Sequence, residues 1–82
     1  MTVRERIRAY IIEKLLSGDA RGFTNDTDLQ RSGILDSFGT TELTAFLEET
    51  FAIRLGADQV NAQSFRSVET LTATVERAIG GR

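Results

Sequence analysis

Cysteine is absent from this 82-residue chain, and with it go disulfide cross-links and thiolate metal sites. Histidine is absent too, which removes the usual general base and metal ligand near neutral pH. A serine nucleophile would have no histidine to activate it, and the single lysine, Lys14, stands far from the serine-bearing motif discussed below. Proline is missing as well, which says little by itself. No apolar run reaches the roughly 18 residues that cross a membrane, and Arg4, Glu5 and Arg6 sit where a signal peptide needs an apolar core. The lack of cysteine fits a reducing compartment. Together these gaps predict a soluble, cytoplasmic protein that is not itself an enzyme, has no metal site and does not span a membrane.

What is present is short and acidic in the middle. A chain of this length predicts one domain over 1–82, with a core sufficient for a few packed helices. Formal net charge is −2. Between Asp19 and Ile53, seven acids face only Arg21 and Arg31. A nucleic-acid surface needs the opposite sign, so no nucleic-acid partner is expected. The acidic middle suits a basic protein partner or a solvated face.

Apolar residues recur at helical spacing in three places. Val3, Ile7, Ile11 and Leu15, with Tyr10 beside them, form the first stripe. Thr2 and Glu5 have capping-box spacing, and Gly18 marks a stop. Leu43, Phe46, Leu47, Thr50 and Phe51 form the second stripe. Val68, Leu71, Val75, Ala78 and Ile79 form the third, with Ser67 as N-cap and Gly80-Gly81 as terminator. Asn61 to Phe65 predicts one further short helical turn, and Ile53 and Leu55 an extended segment with both side chains inward. Asp19 to Leu35 reads as a long loop pinned by Leu29, Ile34 and Leu35, with Phe23 as an anchor. Asn25, Asp26 and Asp28 hint at a calcium loop but lack its downstream glutamate. The expected fold is an all-α four-helix bundle, three main helices plus one short one, with a long loop between the first and second helices.

Asp36-Ser37-Phe38 opens the second stripe. The first N–H groups of a helix lack intrahelical partners and its dipole favours negative charge, so a serine there is a good seat for a phosphate. On a helical wheel Phe38, Thr41, Ala45, Glu48 and Ala52 lie opposite the core stripe, flanked by Glu42 and Glu49. Small and apolar residues between acids suit a docking face better than the mixed Lys and Glu pairs of a merely solvated helix.

Gly33-Ile34-Leu35-Asp36-Ser37-Phe38, then Glu42-Leu43, then Phe46-Leu47-Glu48-Glu49-Thr50-Phe51, resembles the acyl carrier and peptidyl carrier proteins. The likeness continues through Asn61 to Phe65, Ser67-Val68 and Leu71. The resemblance implies that Ser37 receives a 4′-phosphopantetheine group from coenzyme A, installed by a separate phosphopantetheinyl transferase. Asp36 would support the site, and Gly39 would leave room beside the arm. The arm's thiol would carry acyl or aminoacyl groups as thioesters among loading and downstream biosynthetic enzymes. Phe38, Thr41, Glu42, Ala45, Glu48 and Glu49 would meet those partners, with the carrier a monomer. Gly39-Thr40-Thr41 after Phe38, and the modest net charge, look more like stand-alone carriers of specialised pathways than fatty-acid carriers. The competing expectation is a small helical protein–protein interaction domain that uses the same strip and is never modified.

Overall fold

The computed structural model describes residues 1–81. Helices are the only regular elements among them. Helix α1 spans Val3–Tyr10. Its start is the expected capping box. Glu5 N–H donates to Thr2 Oγ1 at 3.1 Å, and Thr2 N–H donates to Glu5 Oε1 at 2.8 Å. The chain runs on into a π-helical turn, Ile11–Leu15, where Leu16 N–H reaches Ile11 O at 3.1 Å. Ser17, at φ 52°, and Gly18 then end the helical run. Ile7 and Ile11 are fully buried, while Val3, Tyr10 and Leu15 are half-buried at the edge of the core.

Helix α2 spans Ser37–Phe51 and helix α3 spans Val68–Gly80. Leu43 and Leu47 of α2 and Val68, Leu71 and Val75 of α3 join them in the core, as the stripes predict. Both α1 and α2 pack against α3. Tyr10 and Phe46 also stack between α1 and α2, ring centroids 4.1 Å apart, with Phe46 edge-on to Phe51 at 6.5 Å. Ser67 caps α3 through a reciprocal pair with Thr70: Thr70 N–H to Ser67 Oγ at 3.2 Å, and Ser67 N–H to Thr70 Oγ1 at 2.9 Å.

The short helix expected at Asn61–Phe65 is a single turn. Phe65 N–H donates to Asn61 O at 3.0 Å, and Ser64 N–H to Asn61 Oδ1 at 2.8 Å. One closed turn fixes several dihedrals for little hydrogen bonding, and the chain does not propagate it. Phe65 enters the core and Ser67 starts α3 two residues on. Ile53 and Leu55 both point inward without forming a strand.

Residues 19–36 carry turns and no helix, and they are tied down at several points. Leu29 is fully buried; its N–H donates to Arg66 O at 2.7 Å, and its carbonyl accepts Leu35 N–H at 2.8 Å. Arg8 grips the other end. Its guanidinium donates to Phe23 O at 2.9 Å and Asn25 Oδ1 at 3.0 Å, and lies 4.8 Å over the Phe23 ring. Phe23 is buried, the anchor expected of it. Glu69 N–H donates to Asn25 O at 3.1 Å, and the Glu69 carboxylate takes two bonds from Arg4 at 2.8 and 3.0 Å. Arg4 and Arg8, which look like surface charges in the sequence, therefore join α1 to α3 and to the loop.

Candidate functional site

The site is built by the approach to α2. Gly33 sits at φ 81°, a left-handed turn that a side-chain-bearing residue adopts at a cost. It lets the chain reverse so that Leu35 goes into the core and Asp36 lands at the N-cap position. Asp36 Oδ1 accepts Gly39 N–H at 2.7 Å, and Asp36 O accepts Thr40 N–H at 2.8 Å. Ser37 is thereby held as the first residue of the helix, with its side chain exposed. The N–H groups of Ser37 and Phe38 make no hydrogen bond within the described residues. They are the orphan donors that a helix start offers to an anion.

Gly39 does something other than leave room for a tether. It is buried, and a Cβ there would meet Asp36 Oδ1 at 3.2 Å, Leu35 Cδ1 at 3.3 Å and Leu15 Cδ2 at 3.7 Å. Glycine at this position lets the Asp36 cap close tightly over the end of the π-helical turn. Its job is to fix the helix start from within.

Phe38, beside Ser37, is 74% exposed, an unusual setting for a phenyl ring. Thr41, Glu42, Ala45 and Glu49 are exposed along the same helix. No basic residue interrupts α2. The threonine hydroxyls turn back onto the helix. Thr41 donates to Ser37 O at 3.2 Å, Thr40 to Asp36 O at 2.8 Å and Thr44 to Thr40 O at 2.8 Å. The strip is accordingly less polar than its composition suggests. Glu42 also helps raise the Tyr10 phenol pKa, second to burial of the ring.

Glu48 stands apart from the other strip residues. It is half-buried, and its Oε2 accepts Leu55 N–H at 2.9 Å. Its backbone carbonyl accepts Ile53 N–H at 3.2 Å. Glu48 therefore fastens the chain reversal after α2, where Ala52 takes φ 54°. The helical wheel put Glu48 on the outward face and Glu49 on its flank, and the structure reverses their exposure because Leu55 folds back onto Glu48.

Sequence reasoning missed Gln30. It lines a groove of ≈ 430 Å³ together with Leu35, Asp36, Ser37 and Thr40. A second groove of ≈ 360 Å³ runs between Thr41, Thr44, Ala45 and Glu48 of α2 and Val60, and Thr40 borders both. Gln30 sits seven residues before the serine in a loop, and no periodicity points to it. Asp28, weighed as a calcium ligand, instead caps the turn that carries Gln30, accepting the N–H groups of Gln30 at 3.1 Å and Arg31 at 2.9 Å. No cluster of acidic side chains suited to a metal ion occurs among the described residues.

Comparison with known proteins identifies the family. The family model described as phosphopantetheine attachment site matches residues 5–75, a span that includes Ser37, all of α2 and most of α1 and α3. Members of that family carry a covalently attached 4′-phosphopantetheine. The chain is also 26% identical over 68 residues to the probable acyl carrier protein PigG of Serratia sp., across 83% of this chain and 78% of that protein. The residues present fit the group: an exposed serine at a helix start, two backbone N–H donors unpaired among the described residues, and an open groove alongside.

Proposed function

The chain belongs to the phosphopantetheine-attachment family, and from that premise we propose that Ser37 bears the arm and that the protein carries acyl or aminoacyl groups for partner enzymes. The observation that carries this reading is the exposed Ser37 hydroxyl at the first position of α2, fixed by the Asp36 cap. In the transfer, Ser37 Oγ forms a bond to phosphorus of coenzyme A, adenosine 3′,5′-bisphosphate leaves, and the hydroxyl proton passes to a base of the transferase. The helix start tolerates the resulting phosphodiester charge. The group supplies, when bound, a terminal thiol able to hold cargo as a thioester, the only thiol on a cysteine-free chain.

The remaining residues present that thiol and convert nothing themselves. Phe38, Thr41, Glu42, Ala45 and Glu49 form the docking strip in this reading. Acids at Glu42 and Glu49 speed encounter with basic enzymes and keep the contact salt-sensitive and releasable. Tethering gives cargo a high local concentration at a docked enzyme without tight binding of the free substrate. The partners are a phosphopantetheinyl transferase, a loading enzyme and the enzymes that use the cargo.

Incubation with coenzyme A and a broad-specificity transferase, followed by intact mass, tests the proposal. Wild-type protein should gain the mass of one phosphopantetheine, and Ser37→Ala should gain none while keeping its helical circular dichroism. A wild-type chain that stays unmodified would instead be a helical interaction domain using the same strip.

A further inference from the structure

We propose that the groove beside Ser37 is a resting place for the arm, and that Gln30 holds it there by pairing its carboxamide with an amide of the arm. The inference rests on Ser37 being the attachment residue. Three observations carry it. Gln30 lines a groove that also contains Ser37. Its backbone is held in place: Gln30 N–H is bound by Asp28 Oδ1, and the adjoining Leu29 is fully buried and bonded to Arg66 O. Its side chain, by contrast, is barely engaged. The amide nitrogen makes one long bond, 3.4 Å to Ala62 O, and the carboxamide oxygen accepts none from the described residues.

A primary carboxamide offers both donors and acceptors, which matches the donor and acceptor of a secondary amide. The pantetheine portion of the arm contains two such amides. The two grooves differ in what they offer. The Gln30 groove is lined by a carboxamide, whereas Ala45, Val60, Glu48 and the methyl-bearing Thr40, Thr41 and Thr44 line the other, with Glu48 Oε2 already accepting Leu55 N–H. Thr41 and Thr44 have already given their hydroxyl protons to the helix. The Thr40 hydroxyl is likewise given to the helix, and Glu48 only accepts, so an amide carbonyl laid in that second groove would give up water without gaining a side-chain donor, which is unfavourable. The polar part of the arm therefore belongs on the Gln30 side.

The test uses uniformly 15N-labelled protein, before and after loading from coenzyme A, with intact mass confirming the load. The side-chain NH2 signals of Gln30 and the backbone signals of residues 29–31 should shift on loading, along with those of Ser37 to Thr40. Gln30→Ala should load as fully as wild type. On that variant the arm's own amide protons, labelled through coenzyme A, should exchange with solvent roughly two- to tenfold faster, the loss of one modest hydrogen bond. Gln59→Ala, which lines a different groove, should leave that rate unchanged. Full loading with shifts confined to Ser37 and Phe38, or moved to Thr44, Ala45 and Val60, would overturn the groove proposal and leave Ser37 standing. No mass gain at all would remove both.

Discussion

Replacing Glu48 by alanine should destabilise the protein, while the same change at Glu49 should not. The two residues are neighbours in sequence and identical in chemistry. In the structure Glu48 Oε2 accepts Leu55 N–H at 2.9 Å from a half-buried position, and Glu49 is exposed with no such bond. The Leu55 side chain is 8% exposed and Ile53 7%, so the segment Glu48 holds carries two core residues. Truncating Glu48 leaves a partly buried N–H without its acceptor and frees the reversal after α2. A lost hydrogen bond to a charged group, with a buried donor left unpaired, costs about 1–3 kcal/mol. In a domain of this size that corresponds to a fall in Tm of roughly 5–20 °C. Glu48→Gln keeps an oxygen acceptor without the charge and should lose about half as much. Glu49→Ala should stay within about 0.5 kcal/mol, as surface changes do. Thermal and urea unfolding followed by circular dichroism measure all three. Equal Tm values for Glu48→Ala and Glu49→Ala would show that the carboxylate does not hold the reversal.

Three other outcomes follow from the same structure. Leu47→Ala empties a fully buried position in α2 and should cost about 2–5 kcal/mol, read as a large drop in urea midpoint; an unchanged midpoint would mean α2 is rotated about its axis. Reversing Glu42 and Glu49 to lysine should slow loading by the transferase and remove the salt dependence of the wild-type rate, with little change in Tm; identical rates and salt response would reduce the strip to a solvated face. The hydrogen bond from Arg4 lowers the Glu69 carboxyl pKa. A lowered folded-state pKa gives stability that is present above the ordinary carboxylate range and lost as pH falls through the folded value. Glu69→Gln should therefore flatten the acid limb of Tm against pH below about pH 5, and an acid limb as steep as wild type would exclude that linkage.

The helices were legible because their stripes and caps repeat locally: Thr2 with Glu5, and Ser67 with Asn61, stand where spacing put them. The place of Ser37 at the mouth of α2 was legible for the same reason, since Asp36-Ser37-Phe38 opens the second stripe. What spacing could not show was long-range. Arg8 and Arg4 look like solvated charges until the loop and α3 are brought against them. Glu48 and Glu49 differ only in which faces Leu55, and Leu55 is seven residues away around a reversal. Gly39 reads as free space beside a tether, yet that space is bounded by Leu35 and Asp36 before α2 and by Leu15 of the π-helical turn. The π-helical turn at Ile11–Leu15 left no mark in the apolar pattern, because Ile7, Ile11 and Leu15 keep helical spacing through it. Gln30 came to the site only through the pinning of Leu29.

The central claim is that the arm sits on Ser37, and localising it by fragmentation mass spectrometry tests that most directly. Trypsin should release residues 32–54 as one peptide, since no lysine or arginine lies between Arg31 and Arg54. That peptide contains two serines, Ser32 and Ser37. After loading from coenzyme A, the fragment series should place one phosphopantetheine on Ser37 and leave Ser32 bare. A modification on Ser32, on any serine outside this peptide, or on none would contradict the account.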